Sequence, residues 1–319
     1  MNLRGLGRAG PEISVVGFGA WEAGGGSEWG AAPPDEQVLD AIRAGLEAGM
    51  TWIDTAEVYG RGRSEELVGR ALGRRGRDAY VFTKVAPRPE GTGFRPEEVR
   101  RACEGSLRRL GVEHIDLYQL HWPEAAVPVE ETWGAMSELV EAGLVRWIGV
   151  SNFDRDLIER CAAVRAVDSL QQEFSLLRLD DRDLIAWCAE AGIGVLSYGP
   201  LAYGLLTGAI TAETRFHATD FRGGADEDET WSALFAPGVI ERSLAVVDGM
   251  RPIADRLGVS LAQLALAWNH HQPGVTAAIA GSRNAEHVRE NAAAGSLQLD
   301  RDVLDELERV LALGPSVAG

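Results

Sequence analysis

The stretch Tyr80-Val81-Phe82-Thr83-Lys84 is an apolar run that ends in a cation. It is followed by a helical stretch, Pro96–Leu110, and then by a second apolar run, Ile115–His121. A strand, a helix and a strand in this order predict two parallel strands joined by a crossover helix. Lys84 is also the one lysine among the 31 Lys and Arg residues of the chain. This indicates a position where the wide, permanently charged arginine side chain does not serve.

The same alternation of strand and helix extends in both directions. The predicted strands are Ser14–Gly19, Thr51–Asp54, Tyr80–Lys84, Ile115–His121, Val145–Ser151, Ser169–Gln171, Gly194–Tyr198 and Val275–Ala280. The predicted helices are Asp35–Ala48, Ser64–Leu72, Pro96–Leu110, Val129–Ala142, Asp154–Ala163, Asp180–Ala191, Val239–Leu257 and Ser260–Asn269. Glycines that predict helix ends follow several of these runs, at Gly49, Gly73, Gly111, Gly143 and Gly192. The pattern predicts a single (β/α)8 TIM barrel over residues 1–319, with a doubly wound open sheet as the alternative.

Two segments depart from this alternation. Met1–Gly10 is rich in glycine, and we expect it to form a small hairpin that closes the bottom of the barrel. Residues 202–237 show no clear element and contain the acidic run Asp226-Glu227-Asp228-Glu229. A loop of this length over the C-terminal face is either a lid or a solvated excursion, and the sequence leaves both open.

The composition narrows the range of partners. A formal net charge of −17 argues against a broad nucleic-acid surface or a footprint on an anionic membrane. Cys103, Cys161 and Cys188 are scattered and form no CxxC pair, so they predict buried thiols rather than disulfides or a metal site. No apolar run approaches the roughly 18 residues of a membrane span. We therefore expect a cytoplasmic protein.

Polar side chains occupy the carboxyl ends of the predicted strands, which lie on one face of a parallel barrel. Seven consecutive strand ends carry such groups, and this predicts that the functional site lies on that face. The residues are Asp54, Lys84, His121, Ser151, Asn152, Gln171, Tyr198 and Ser282, with Tyr59 in the loop after Asp54.

Four of these residues together can deliver a proton near neutral pH. A free tyrosine has a pKa of about 10, and a neighbouring cation lowers it by stabilising the phenolate. A buried cation in turn needs a carboxylate partner. We expect Tyr59 to be the general acid, Lys84 to tune its pKa, Asp54 to pair with Lys84, and His121 to orient the substrate. This set contains no metal-ligand pattern and suits reduction of a carbonyl group.

At this point the chain resembles the aldo-keto reductase family almost from end to end. The matching motifs are Asp54-Thr55-Ala56-Glu57-Val58-Tyr59-Gly60, Gly62-Arg63-Ser64-Glu65-Glu66-Leu67-Val68-Gly69, Phe82-Thr83-Lys84, Asp116-Leu117-Tyr118-Gln119-Leu120-His121-Trp122-Pro123, Ile148-Gly149-Val150-Ser151-Asn152-Phe153, the run from Pro200 to Gly208, Ile279-Ala280-Gly281-Ser282-Arg283-Asn284 and Glu290-Asn291. The catalytic Asp, Tyr, Lys and His of the family fall on Asp54, Tyr59, Lys84 and His121. The resemblance implies NADPH-dependent reduction of an aldehyde or ketone, by a protein that is a monomer by default.

The resemblance also implies a nicotinamide cofactor across the mouth of the barrel. Ser151, Asn152 and Gln171 would hydrogen-bond its carboxamide, and Tyr198 would stack on its ring. The other cofactor contacts would come from Ala20, Trp21, Gly199, Pro200, Leu201, Gly204, Leu206, Gly208, Gly281, Ser282, Arg283, His287, Glu290 and Asn291. Gly199 replaces a serine found in many relatives, and His287 replaces an arginine of the vertebrate-type members. Because Arg283 offers a bidentate partner for a 2′-phosphate, we expect NADPH rather than NADH.

The substrate is the least defined part of the prediction. Trp21, Trp122 and Phe153 are expected to line an apolar mouth, while Trp231 and Phe235 either join them or pack the long loop onto the barrel. Aromatic walls suit many aldehydes, ketones and sugars. Two other functions stay open, an NADPH-binding redox-sensing subunit with little turnover and a sugar-binding barrel without a cofactor.

Overall fold

Eight parallel strands close into a barrel, as the sequence predicts. The computed structural model describes residues 1–25, 29–73, 79–217, 219–224 and 232–312. The barrel strands are β3 (Val16–Gly19), β4 (Trp52–Asp54), β5 (Tyr80–Val85), β6 (Ile115–Leu120), β7 (Val145–Ser151), β8 (Ser169–Glu173), β9 (Gly194–Tyr198) and β10 (Ala277–Ala280). Strand β3 pairs in parallel with both β4 and β10. The sheet is therefore closed, and the open doubly wound alternative is wrong.

Helices surround the barrel and connect its strands. They are α1 (Trp21–Gly24), α2 (Asp35–Glu47), α3 (Arg63–Leu72), α4 (Pro96–Leu110), α5 (Val129–Glu141), α6 (Arg155–Val164), α7 (Arg182–Ala191), α8 (Val239–Leu257), α9 (Leu261–His271), α10 (Ala285–Ala294) and α11 (Arg301–Leu311). The five glycines predicted to end helices all have positive φ, between +54° and +93°. Such angles are accessible to glycine without strain, so these stops are confirmed.

An antiparallel hairpin closes the bottom of the barrel. Strand β1 (Leu3–Gly5) pairs with β2 (Glu12–Ser14), and Leu6 and Ile13 pack against a cluster of barrel residues that includes Trp52. A Cβ on Gly7 would lie only 2.7 Å from the backbone nitrogen of Gly194, at the start of β9. The hairpin therefore seals the amino-terminal ends of the strands, as expected from Met1–Gly10, although its second strand extends to Ser14.

Of the predicted strand starts, those of the first and last barrel strands differ most from the structure, by two residues each. Ser14 belongs to the hairpin rather than to the first barrel strand, because it pairs with Leu3. The last barrel strand begins at Ala277 rather than Val275. The carbonyl of Val275 instead accepts a hydrogen bond from Arg4 at 2.9 Å, which ties this part of the chain to the hairpin.

The described parts of residues 202–237 contain short 3-10 turns, at Ala202–Thr207, Phe221–Gly224 and Ala233–Phe235. Phe235 is buried and packs edge to face against Phe221, with ring centroids 6.3 Å apart. Trp231 and the acidic run at 226–229 lie outside the described residues. The assignment of residues 1–319 to one domain stays a prediction.

Candidate active site

The four predicted catalytic side chains converge at the carboxyl ends of neighbouring strands. Asp54 is the last residue of β4, Lys84 lies one residue before the end of β5, and His121 directly follows β6. Tyr59 begins a 3-10 turn after β4, at Tyr59–Gly62. Strand ends fix the first three side chains through the ladder of the barrel, and the turn brings the fourth to them.

Lys84 is the centre of this cluster. Its Nζ lies 2.5 Å from Oδ1 of Asp54, 2.9 Å from the carbonyl oxygen of Thr55 and 3.3 Å from the hydroxyl of Tyr59. The Lys84 side chain is 0 % exposed. Burial lowers the pKa of Lys84 below its ordinary value, and the Asp54 carboxylate opposes this effect. The ammonium is thus held against the phenol by a carboxylate partner.

His121 also contacts the Tyr59 hydroxyl. Its Nε2 lies 3.5 Å from the Tyr59 oxygen, and its ring stacks on Trp122 with centroids 3.7 Å apart. Burial, together with the positive charge of Lys84, lowers the pKa of His121 well below its ordinary value. The imidazole is therefore neutral near pH 7. An ammonium and a neutral imidazole that both contact one phenol hydroxyl form a site that can bind and protonate a substrate oxygen.

Gln171 contacts the catalytic cluster directly, which the sequence did not predict. Its Nε2 donates to Oδ2 of Asp54 at 2.8 Å, while Lys84 holds Oδ1. Each carboxylate oxygen therefore has a donor. The resemblance implies that Gln171 binds the nicotinamide carboxamide. In the structure its side chain lines the cavity and also contacts Asp54. It links the cofactor wall to the proton-transfer groups.

A short chain of hydrogen bonds fixes the wall beside Gln171. The hydroxyl of Tyr198 donates to Oδ1 of Asn152 at 2.8 Å, and Nδ2 of Asn152 donates to the carbonyl oxygen of His121 at 3.0 Å and to Ser151 Oγ at 3.1 Å. Asn152 adopts a positive φ of 61°, a conformation that asparagine tolerates better than most residues. The ring of Tyr198 is thereby held in place at the end of β9.

One cavity of about 840 Å³ joins the catalytic cluster to the adenosine-binding residues expected from the resemblance. This lies within the range of roughly 300–1,000 Å³ typical of small-molecule and cofactor sites. The predicted residues that line it are Trp21, Asp54, Tyr59, His121, Trp122, Ser151, Asn152, Gln171, Tyr198, Gly199, Pro200, Leu201, Gly204, Gly281, Ser282, Arg283, His287, Glu290 and Asn291.

Five predicted site residues do not line the cavity. Phe153 is 2 % exposed and packs in the core instead of forming a substrate wall. Leu206 and Ala20 are also buried, and Gly208 packs near Leu261. Lys84 is fully buried and contacts Asp54 and Tyr59, which do line the cavity. Of the three predicted substrate-pocket residues, Trp21 and Trp122 line the cavity and Phe153 does not.

The chemistry of the far end of the cavity fits an anionic group. Helix α10 begins after Asn284, whose Oδ1 accepts from the backbone nitrogen of Glu286 at 2.8 Å. Ser282 and Arg283 precede this helix start and line the cavity, as does His287 in the first helical turn. Backbone N–H groups at a helix start, a guanidinium and a hydroxyl are the donors that a phosphate takes. The residues present therefore fit the phosphates of a dinucleotide.

Two loops that the sequence did not connect meet over the cavity. Trp29 forms an antiparallel bridge with Asp220, and the Arg222 guanidinium lies 5.0 Å from the Trp29 ring centroid. Trp21 stacks against Phe221 with centroids 5.9 Å apart. Trp29, Tyr203 and Arg222 thus join the cavity wall. The only sequence signal that could have identified part of this wall is that Trp29 and Tyr203 are aromatic residues in loops beside the barrel mouth.

Neither a membrane-spanning helix nor a metal-binding cluster is found in the part of the chain that the structure describes. None of its helices combines the length and apolar character needed to cross a membrane. No group of three or more His, Cys, Asp or Glu side chains in this part is arranged to hold a metal ion.

Comparison with known proteins places the chain in a family. The model of the Aldo/keto reductase family matches residues 15–312. Aldo-keto reductase YhdN of Bacillus subtilis is 37 % identical over 292 residues, covering 89 % of this chain and 85 % of that protein. An NADH-specific methylglyoxal reductase of Escherichia coli is 32 % identical over 333 residues, covering 95 % of this chain and 98 % of that protein.

Solved structures agree with this result. A glycerol dehydrogenase, AKR11B4, from Gluconobacter oxydans has a TM-score of 0.85 and is 32 % identical, covering 97 % of this chain and 94 % of its own. An aldo-keto reductase from Klebsiella pneumoniae in complex with NADPH has a TM-score of 0.76 and is 30 % identical, covering 99 % of this chain and 97 % of its own. The chain belongs to the aldo/keto reductase family, whose members are NAD(P)H-dependent oxidoreductases that act on carbonyl compounds.

Proposed function

We propose that this protein uses NADPH to reduce a small aldehyde or ketone to its alcohol, with Tyr59 as the proton donor. One observation carries the proposal: the Tyr59 hydroxyl lies 3.3 Å from Nζ of Lys84 and 3.5 Å from Nε2 of His121, at the wall of the large cavity. The reaction is reversible, so the same site can oxidise the alcohol.

The cofactor would be held along the whole cavity. Asn152, Gln171 and Ser151 would bind the carboxamide, the ring of Tyr198 would lie against the nicotinamide, and Ser282 with Arg283 would bind the phosphate end. When bound, the nicotinamide supplies a hydride for the carbonyl carbon.

Proton transfer follows from the arrangement around Tyr59. Its O–H donates the proton to the substrate oxygen, and the adjacent Lys84 ammonium stabilises the phenolate that remains. Asp54 keeps this cation charged although it is buried. The neutral His121 imidazole can donate a hydrogen bond to the same substrate oxygen without adding a second charge beside Lys84.

NADPH is proposed over NADH because of the donors at the adenosine end. Arg283 and Ser282 stand before the start of α10, where a guanidinium and a helix N-terminus both favour a 2′-phosphate. NADH is the runner-up, since one relative is named for its specificity for NADH. Fluorescence titration with both cofactors measures the preference directly.

The substrate is proposed to be a small carbonyl compound that carries further oxygen atoms. The supporting observation is the composition of the wall near Tyr59, which combines the flat rings of Trp21 and Trp122 with the polar groups of His121 and Asn152. One relative is named for the reduction of methylglyoxal, which is such a compound, and one similar structure for the dehydrogenation of glycerol, which gives a hydroxycarbonyl compound. α-Dicarbonyls and hydroxyaldehydes are therefore the first compounds to assay.

The cellular setting is proposed from the composition and the thiols. Cys103, Cys161 and Cys188 are all buried and unpaired by disulfides, as in proteins of reducing compartments. We propose a cytoplasmic protein on the basis of these thiols, and a monomer on the basis of the family resemblance. Light scattering of the purified protein tests the monomer, and cell fractionation tests the location.

The test of the main proposal is NADPH oxidation against a panel of aldehydes, ketones, α-dicarbonyls and sugars. Turnover that falls by about 10²–10⁴ in Tyr59→Phe, while cofactor binding is retained, supports the proposal. Retained activity in this variant overturns the role of Tyr59. Tight NADPH binding without turnover favours a redox-sensing subunit, and no binding of either cofactor favours a sugar-binding barrel.

A further inference from the structure

A carboxylate lies in the cofactor cavity beside the arginine that is proposed to bind phosphate. Oε2 of Glu22, in the short helix α1, is 3.4 Å from Nε of Arg283. Both residues line the cavity, and their side chains are 25 % and 34 % exposed, respectively. Glu22 has no role among the residues predicted from the sequence. Its position is unexpected in a cavity whose far end otherwise fits an anion.

The ion pair joins two loops across the cavity. Arg283 follows β10, whereas Glu22 and Ala31 belong to the segment between β3 and α2. The Arg283 Nη1 also donates to the carbonyl oxygen of Ala31 at 3.4 Å. The guanidinium is thus turned toward the β3–α2 segment, where its donors are shared with a carboxylate and a carbonyl.

The second arginine of this part of the cavity is also paired. Arg222 Nε and Nη2 donate to the two oxygens of Asp220, at 2.8 and 2.6 Å, and its Nη1 donates to the carbonyl oxygen of Tyr203 at 3.0 Å. Each of the two guanidiniums therefore faces one carboxylate. Burial raises the pKa of Glu22, and the charges of Arg283 and Arg222 oppose this effect. An incoming phosphate meets cations that are already neutralised.

We propose that Glu22 competes with the 2′-phosphate of the cofactor for Arg283, and so limits the preference of this protein for NADPH over NADH. The inference rests on the proposed function, which places the phosphate end of the cofactor at Arg283. A 2′-phosphate carries up to two negative charges, so it must displace Glu22 from the guanidinium and then remain close to its carboxylate. NADH has a ribose hydroxyl in place of this phosphate, so it binds without displacing Glu22 from Arg283.

The test uses binding rather than turnover. Dissociation constants of NADP⁺, NAD⁺ and adenosine 2′,5′-bisphosphate are measured by calorimetric titration for the wild type and for Glu22→Gln. Partly exposed ion pairs are worth up to about 1 kcal/mol, so we expect Glu22→Gln to bind NADP⁺ and the bisphosphate roughly fivefold more tightly. The affinity for NAD⁺ is expected to stay within about twofold, because NAD⁺ lacks the competing group.

Two controls separate this effect from others. Glu190→Gln removes the same charge from an exposed position near the end of α7, outside the cavity, and is expected to leave the NADP⁺ to NAD⁺ ratio unchanged. In an Arg283→Met background, Glu22→Gln is expected to give no further gain for NADP⁺, since the contested guanidinium is gone. An equal gain for NAD⁺, an equal gain in Glu190→Gln, or a gain that persists with Arg283→Met each overturns the inference. Failure of the wild type to bind either dinucleotide would instead overturn the proposed function.

Discussion

Substituting Lys84 by methionine, which has a similar length and no charge, removes one partner of a buried ion pair. The side chains of Lys84 and Asp54 are 0 % and 4 % exposed, and their charged atoms are 2.5 Å apart. In Lys84→Met, the Asp54 carboxylate stays buried with Gln171 as its remaining side-chain donor among the described contacts. Removal of one partner of such a pair lowers the free energy of unfolding by about 3–5 kcal/mol. Asp54→Asn leaves the ammonium without its counter-ion and is expected to lower it by a similar amount.

The double variant, Lys84→Met with Asp54→Asn, makes the prediction sharp. Both charges are then absent, and the amide oxygen at position 54 can still accept the hydrogen bond from Gln171. We expect the double variant to be at least about 2 kcal/mol more stable than the sum of the two single losses predicts, because no unpaired charge is left inside the barrel. All three variants are expected to lose turnover. The pair would then serve proton transfer rather than the stability of the fold.

The measurement is urea-induced unfolding of the cofactor-free protein near neutral pH, followed by tryptophan fluorescence. Free energies of unfolding for the wild type, the two single variants and the double variant complete a thermodynamic cycle. Single variants that lose less than about 1 kcal/mol, or a double variant that loses the full sum, would refute the reasoning. Either result would mean that Lys84 and Asp54 do not interact as a charged pair.

Three further predictions concern the same end of the barrel. Lys84→Arg is expected to lower turnover by about 10²–10⁴ while keeping cofactor affinity, because the fully buried ammonium leaves no room for the wider guanidinium; near-normal turnover in steady-state assays would contradict this. Gln171→Met leaves Oδ2 of Asp54 without its donor and is expected to lower the free energy of unfolding in urea by about 1–3 kcal/mol, and no measurable loss would count against the Gln171–Asp54 bond. Burial raises the pKa of Glu173 from 4.5 to about 7, so the folded protein holds this proton more tightly and loses stability as pH rises through that window. The side chain at position 173 of the Glu173→Gln variant does not titrate. Its free energy of unfolding, relative to that of the wild type, is therefore expected to rise by up to about 3 kcal/mol from the acid to the alkaline side of the window. If the thermal unfolding temperatures of variant and wild type differ by the same amount on both sides, Glu173 does not titrate in this window.

The sequence predicted the barrel well because the determinants of its elements are local. Alternating apolar runs and amphipathic stretches indicate parallel strands and helices, and glycines such as Gly111 and Gly192 end helices through a conformation that side chains disfavour. The catalytic cluster followed from the same reasoning. Strand ends of a parallel barrel share one face, so Asp54, Lys84 and His121 were expected together before any contact was known.

Contacts between distant loops could not be predicted in this way. The bond from Gln171 to Asp54 joins residues 117 positions apart, and the bridge between Trp29 and Asp220 joins two loops of irregular structure. The direction of a side chain beside a turn was equally hidden. Phe153 directly follows Asn152, which lines the cavity, yet Phe153 itself packs in the core. These features depend on packing between segments, which no local pattern encodes.

The single lysine also gives this protein a natural reporter of its own chemistry. Because Lys84 is the one lysine of the chain and lies buried in the catalytic cluster, protein grown with lysine labelled at its ε-carbon shows one side-chain lysine signal in an NMR spectrum. That signal follows the protonation of the ammonium as pH, cofactor or inhibitor is varied, without any substitution in the site. In most enzymes of this size such a resonance would have to be found among many.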